Sequence, residues 1–155
     1  MSDYVANHAR EDWYQPGSLI RAPLADIIDA DFNGAITGSW EDIHDSGGGD
    51  LHIAYTPPIN CHVEVRLSIT LSISAANSPV VIGLFNGGTG LKNTWCYPVI
   101  NNAYVSQVVI WDGPLTANTA YDFIAKYYII TGGVTIKVLA PPEDTIMVLK
   151  AWAQP

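Results

Sequence analysis

Four side chains that could bind a divalent metal lie within one short stretch of the sequence. His44, Asp45, Asp50 and His52 offer imidazole and carboxylate groups, which many divalent ions accept as ligands. Their spacing matches no metal motif, and the segment from Asp45 to Asp50 contains the consecutive glycines that a tight turn needs. We therefore predict a turn here, with no metal ion and no cofactor.

The sequence offers no arrangement suited to nucleophilic catalysis. Cys61 and His62 are neighbours, and neighbouring side chains on a strand point to opposite faces, which is wrong for a nucleophile and its base. There is no G-x-S-x-G motif, and the glycines of 87–90 lack the Lys-Ser/Thr pair of a phosphate-binding loop. We predict no catalytic residues and no enzymatic activity. A glycosidase with carboxylates from distant strands is the alternative that stays open.

The two cysteines, Cys61 and Cys96, show neither a C-x-x-C pair nor a Cys/His zinc spacing. We predict two buried free thiols. A single disulfide is the alternative, and it requires that both residues fall on adjacent strands.

Tryptophan rings can stack on sugar rings or pack in a core or an interface. Packing is the interpretation that we favour for Trp40, Trp95, Trp111 and Trp152 as a group. Trp95 lies in the polar stretch 92–98, which we predict to be a loop, and it is the best candidate for a glycan contact.

Charge is scarce and unevenly distributed along the chain. Charged residues make up 14% of the 155 residues, against about 25% in an ordinary soluble domain. Residues 1–50 hold ten acids and two bases, and the other residues hold five of each, so the net charge is −8. We predict no nucleic-acid partner and no membrane partner, because both favour clustered Lys and Arg. Scarce charge is typical of assembly interfaces, and a surface covered by Ser, Thr and Asn is the alternative.

The alternation in residues 63–74 is the clearest structural signal. Six apolar side chains alternate with six polar ones, which predicts a long strand with one solvated face. Further apolar segments follow at short spacing, separated by joints rich in Gly, Asn and Pro. We predict an all-β fold, an antiparallel jelly-roll sandwich of about eight strands over residues 34–155.

Residues 1–33 lack this alternation and are predicted to form an N-terminal arm, with a short helix around 22–30. They also lack the basic start and apolar stretch of a signal peptide. The arm is too apolar for a solvated tail, so we expect it to order on its own domain, a neighbouring subunit or a larger particle. The side chains predicted to dock it are Trp13, Tyr14, Leu19 and Ile20.

Two predicted strands are apolar on both faces. In 121–130 the second face carries Tyr128 and Ile130, and in 145–152 we assign Met147 and Leu149 to it. A sandwich covers only one face of each strand, so the other face needs a further cover. We predict that these four side chains line an interface between copies of the chain.

The segment 115–121, the aromatic strand 121–130, the hairpin 131–136 and the closing strand 145–152 resemble the C-terminal half of small trimeric jelly rolls. These are similar to the tumour-necrosis-factor and complement-type globular heads. Versions occur in phage virion proteins, among them capsid decoration proteins, head fibres and fibre tips. The chain resembles these phage versions more than the secreted animal ones, over about residues 34–155.

The resemblance implies a homotrimer whose last strands line a threefold axis, and it implies no catalysis. It also implies a structural protein of the virion, made in the host cytoplasm. Its partners would then be copies of itself and capsid or other virion proteins, with the arm as the docking segment. The alternative is a receptor- or carbohydrate-binding fibre tip, with a host glycan as its ligand.

Overall fold

The computed structural model describes residues 19–35, 37–45, 47–140 and 145–154, and every regular element in these ranges is a β-strand. No helix in the described ranges is long and apolar enough to cross a membrane. The strands are β1 (Leu19–Ile27), β2 (Phe32–Gly34), β3 (Trp40–Asp42), β4 (His52–Tyr55), β5 (Cys61–Ile73), β6 (Val80–Asn86), β7 (Thr89–Cys96), β8 (Tyr104–Leu115), β9 (Tyr121–Ile129), β10 (Ile136–Val138) and β11 (Ile146–Ala153).

The strands form two antiparallel sheets that pack face to face. In the first sheet, β8, β5, β11 and β1 lie side by side, and the short β10 and β2 continue the lines of β11 and β1. In the second sheet, β7, β6 and β9 lie side by side, and β3 and β4 follow one another along the free edge of β9. The described strands thus fill eight positions in the order of a jelly roll. The predicted fold class is confirmed.

β5 carries the alternation that the sequence shows in residues 63–74. Its odd-numbered side chains from Cys61 to Ile73 are buried between the sheets, and its even-numbered ones up to Thr70 are half-buried or exposed. β8 pairs with β5 along one side, while β11 and β10 share the other side. A slip of one residue would turn the buried row outward, so the alternation sets the register of the sheet.

Met147 and Leu149 belong to the core of the chain itself, so the prediction that they line an interface was wrong. They are 0% and 2% exposed. The register on β5 places Met147 opposite the inward-pointing Leu67, and Leu149 faces the same way two residues later. Both faces of β11 are apolar, and only its pairing shows which one is inside. Its outward side chains include Ile146 and Val148.

The segment predicted as an arm is in part a strand of the first sheet. β1 pairs with β11 and replaces the helix expected around 22–30. The edge of β11 supplies the backbone partners, and Pro23 falls where the register shifts between Arg21 and Leu24, a place where a missing N–H is tolerated. The sandwich therefore includes residues 19–33, which the sequence had assigned to the arm.

Of the four residues predicted to dock the arm, the structure describes two. Trp13 and Tyr14 lie outside the described residues. Leu19 is exposed at the start of β1, and Ile20 follows it in the same strand. A docking role for these four residues stays a prediction.

The bend between β1 and β2 contacts β10 and a residue just after it. Asp31 Oδ2 lies 2.8 Å from Lys137 Nζ, and Asp31 Oδ1 accepts a hydrogen bond from the backbone N–H of Ala140 at 3.1 Å. The hydrogen bond from Lys137 lowers the pKa of the Asp31 carboxyl, and the same contact raises the pKa of Lys137. The Asp31 side chain thus joins this bend to β10 and to Ala140.

Candidate functional site

The stretch with the four potential metal ligands forms the turn between β3 and β4. The backbone N–H of Asp45 donates to the carbonyl of Gly49 at 2.7 Å, and the N–H of Gly49 donates to the Asp45 carboxylate, also at 2.7 Å. His44 Nδ1 lies 2.7 Å from Asp50 Oδ1. Among the residues that the structure describes, no group of three or more His, Cys, Asp or Glu side chains could hold a metal ion. The contacts of Asp45 and of the His44–Asp50 pair close the turn that the sequence predicted.

His52 connects the same turn to the first sheet. Its ring Nδ1 lies 2.9 Å from the carbonyl oxygen of Asp50, and this hydrogen bond raises the pKa of the ring above its usual 6.5. The backbone N–H of His52 donates to Asp26 Oδ2 at 2.8 Å. Because Asp26 lies in β1, this bond joins an edge of the second sheet to an edge of the first.

The two cysteines are buried and unbridged, as predicted. Cys61 begins β5 in the first sheet and Cys96 ends β7 in the second. Burial raises the pKa of both thiols, and that of Cys96 to about 12, so neither is a ready nucleophile. His62 points away from Cys61 and approaches Asp112, with Nε2 3.4 Å from Oδ2.

The outer face of the first sheet carries exposed aliphatic side chains. Ile27 is 49% exposed, Val108 44% and Ile110 42%. The pairing of β1, β11, β5 and β8 arranges them in two adjacent rows, one with Ile27, Ile146 and Val108 and the other with Val148 and Ile110. We term these five residues the aliphatic face.

Arg66 lies within the second row of the aliphatic face, between Val148 and Ile110. Its Nε donates to Ser68 Oγ at 3.4 Å, and it forms no ion pair with any residue of the described ranges. A cavity of about 360 Å³ lies beside it, lined largely by polar side chains such as Ser68 and Ser106. The five residues of the aliphatic face therefore surround a positively charged side chain and border a cavity.

The loop between β7 and β8 adds two largely exposed aliphatic side chains, Val99 and Ile100. Its backbone is held to neighbouring segments. The N–H of Asn77 donates to the carbonyl of Pro98 at 2.8 Å, and further along the loop Asn102 N–H donates to the end of β5. The loop thus presents apolar side chains on a backbone with fixed contacts.

The outer face of the second sheet is aromatic. One row across β3, β9, β6 and β7 contains three aromatic residues and Val81. These side chains surround a cavity of about 210 Å³. We term it the aromatic groove, and its six lining residues are Trp40, Val81, Asn93, Trp95, Tyr128 and Ile130.

Trp40 is fixed by the rings around it. Its ring centroid lies 4.9 Å from that of Phe85 and 5.5 Å from that of Tyr128. Gly83 of β6 lies next to the indole, and a Cβ at this position would be 3.0 Å from the Trp40 ring. The missing side chain therefore lets the indole approach the strand.

Trp95 is 48% exposed and lies in β7, so the prediction of a loop at 92–98 was wrong for most of that stretch. Its ring is nearly parallel to that of Tyr97, with 5.9 Å between centroids and 12° between planes. Because β7 is the edge strand of the second sheet, Trp95 forms one margin of the groove. Tyr128 and Ile130 line the same groove, and their role at an interface stays a prediction.

The sequence could not reveal the groove, because Trp40 and Trp95 are brought into one row only by the pairing of four strands. Trp111 behaves differently. It packs against Phe123 of the opposite sheet with 5.7 Å between ring centroids, which agrees with the packing interpretation.

Comparison with known proteins assigns this chain to no family. No protein-family profile matches the sequence, and no curated protein is detectably similar to it. Two crystal structures of a CocE/NonD family hydrolase from Staphylococcus aureus share part of the arrangement, with TM-scores of 0.43 and 0.42 and identities of 8% and 7%. The matches cover 87% and 85% of this chain but only 37% and 36% of the hydrolase chain. Similarity at this level carries no argument about function.

Proposed function

We propose that this chain is a non-catalytic structural subunit that assembles into a homotrimer on a phage particle. The observation that carries the proposal is the aliphatic face, where exposed and half-buried Ile and Val side chains share two adjacent rows. Ser68 interrupts one row and Arg66 the other. A cluster of exposed apolar side chains of this kind marks an interaction site. The resemblance to trimeric jelly rolls supports the number three and the virion as the location.

Covering the aliphatic face with another copy removes apolar surface from water. Ile27, Val108 and Ile110 are each somewhat less than half exposed, so covering each of them stabilises an assembly by about 1 kcal/mol. Arg66 is the one charged side chain within the two rows, and its burial costs free energy unless a partner group pairs with it.

The charged groups near the aliphatic face suit a partner of the same sequence. Arg66 lies within it, and the next row along the sheet contains Lys150, Glu64 and Asp112. Positively and negatively charged side chains are therefore present on one surface, and arginine is enriched at protein interfaces. A copy of the chain can supply a carboxylate to Arg66.

A threefold ring requires two different surfaces to meet at each contact. We assign the second surface to the β7–β8 loop, which offers Val99 and Ile100 on a backbone with fixed contacts. The residues Trp13, Tyr14, Leu19 and Ile20 are proposed to dock the trimer onto capsid or other virion proteins.

The mass of the protein in solution tests the assembly. Sedimentation equilibrium at micromolar concentration should give three times the chain mass of 16.8 kDa. The double substitution Val108→Asp/Ile110→Asp should give a folded monomer, because it places charge in the proposed contact. Thr89→Asp, in an exposed position at the start of β7, is the matched control and should leave the trimer intact.

A monomeric wild-type chain would contradict the proposal, as would a trimer that tolerates both aspartates. The location is tested separately. Mass spectrometry should detect the chain in purified virions from a culture that produces it, and its absence from them would exclude the virion.

A further inference from the structure

We propose that the aromatic groove binds a neutral carbohydrate. The groove lies on the second sheet, on the opposite side of the sandwich from the aliphatic face, so this inference does not rest on the proposed assembly. Its lining combines aromatic rings with uncharged hydrogen-bonding groups. A pyranose has the matching chemistry, since it presents C–H groups on its ring faces and hydroxyl groups around its rim.

Trp40 is held in place before any ligand arrives, and Trp95 has one ring contact. Trp40 is fixed by Phe85 and Tyr128, and the ring of Trp95 lies parallel to that of Tyr97. A side chain that is already fixed loses little conformational entropy on binding, and this raises the affinity for a ligand whose individual contacts are weak. Val81, which is almost fully buried, lies between Tyr128 and Trp95 in the row across the strands.

Polar groups for the hydroxyls are present at the same place. Asn93 and Tyr128 both line the groove, and their side chains form no hydrogen bond with any residue in the described part of the chain. The amide of Asn93 offers donors and an acceptor, and the Tyr128 hydroxyl offers one of each. A few such groups among apolar walls are typical of small-molecule sites.

The charge around the groove favours a neutral ligand. None of its six lining residues is charged. The nearby Lys126 forms an ion pair with Asp42, and its Nζ lies 5.6 Å from the centre of the Phe85 ring. A phosphate-rich ligand such as a nucleic acid finds no cluster of cations here, and the net charge of −8 opposes it.

A second cavity indicates that the ligand is longer than one sugar. It has a volume of about 320 Å³, is lined by Phe85, Leu91 and Lys92 among others, and shares Trp40 and Asn93 with the groove. The two cavities therefore adjoin each other on the same sheet, with Trp40 and Asn93 common to both. We assign one sugar unit to each, so the expected ligand is a short neutral oligosaccharide.

The experiment is a titration of the full chain with cellotetraose, maltotetraose and chitotetraose. Calorimetry and the indole N–H signals in NMR spectra monitor the binding. We expect at least one of them to bind with millimolar affinity or better and to shift tryptophan indole signals. Trp95→Ala should weaken that binding by about tenfold, because it removes one stacking surface. Asn93→Ala, in an exposed position that the fold does not need, should weaken it severalfold.

Tyr104→Ala is the matched control, because Tyr104 is also an exposed aromatic side chain but lies in the first sheet. It should leave the affinity per chain unchanged. Absence of binding by all three oligosaccharides at 10 mM, or equal weakening by the control, overturns the proposal. If Trp95→Ala instead changes only the sedimentation mass, the groove is an interface between copies and the carbohydrate proposal is wrong.

Discussion

Gly34 shows how closely the two sheets approach each other. It lies in β2, and a Cβ at this position would be 2.6 Å from Cζ of Tyr127 in the opposite sheet. Tyr127 is almost completely buried and packs against the ring of Phe32, with 5.6 Å between centroids. The ring therefore has little room to move away from an added methyl group.

We predict that Gly34→Ala lowers the free energy of unfolding by about 1–3 kcal/mol, which is the usual range for an overfilled core. Urea unfolding followed by tryptophan fluorescence measures it. Gly132→Ala is the matched control, because a Cβ there meets no atom within 4 Å, and its effect should be smaller than 1 kcal/mol in either direction. Equal effects of the two substitutions would show that the contact with Tyr127 relaxes freely.

Asp31 and Lys137 act between elements, since they join the bend after β1 to β10. The pKa of Asp31 is lowered below 3.8 in the folded chain, so its contribution to stability is present above that pH and is lost as the pH falls through the lowered value. The pKa of Lys137 is raised above 10.5, so its contribution is present below that pH and is lost at higher pH. The pair therefore stabilises the fold between about pH 3.8 and pH 10.5.

We predict that Asp31→Asn lowers the melting temperature at pH 7 and that its difference from the wild type shrinks as the pH falls below 3.8. Both side chains are substantially exposed, so the effect is small. Scanning calorimetry between pH 2.5 and pH 7 measures it. Lys137→Gln should have a similar effect at pH 7, and the double substitution should add little to either one. A difference that stays constant with pH would contradict the role of the carboxylate.

The elements differ in how well the sequence predicts them. β5 was predicted because apolar and polar side chains alternate along it, and its burial follows that alternation as far as Thr70. β1 was missed because its hydrogen bonds depend on the distant β11 and its register is interrupted near Pro23. The buried face of β11 was misassigned because both of its faces are apolar.

The candidate sites also divide into features that local sequence predicts and features that depend on distant strands. The turn at Asp45 follows from local sequence and was predicted. The two thiols were also predicted to be unbridged, but only the placement of Cys61 and Cys96 in different sheets explains why they are. The aromatic groove joins residues from four strands, and the aliphatic face joins residues from three. Which side chains share a row is decided by long-range pairing, which periodicity within a single strand does not encode.

On the scale of the whole molecule, folding evens out the charge that is so uneven along the chain. Acids from the first 50 residues pair with bases from the later part, as Asp31 does with Lys137 and Asp42 with Lys126. The net charge of −8 nevertheless stays with each copy. The proposed assembly of identical copies would therefore take place against a mutual repulsion that the aliphatic contact has to exceed.

We predict that salt strengthens the proposed trimer. Raising sodium chloride from about 0.1 M to 1 M shortens the screening length from about 10 Å to about 3 Å, which weakens the repulsion between copies. Burial of Ile and Val side chains does not depend on charge, so its contribution persists. Sedimentation velocity across this range should show the dissociation constant falling as salt rises. A trimer that dissociates in high salt would instead be held mainly by ion pairs, such as one made by Arg66, and the aliphatic face would not be its principal contact.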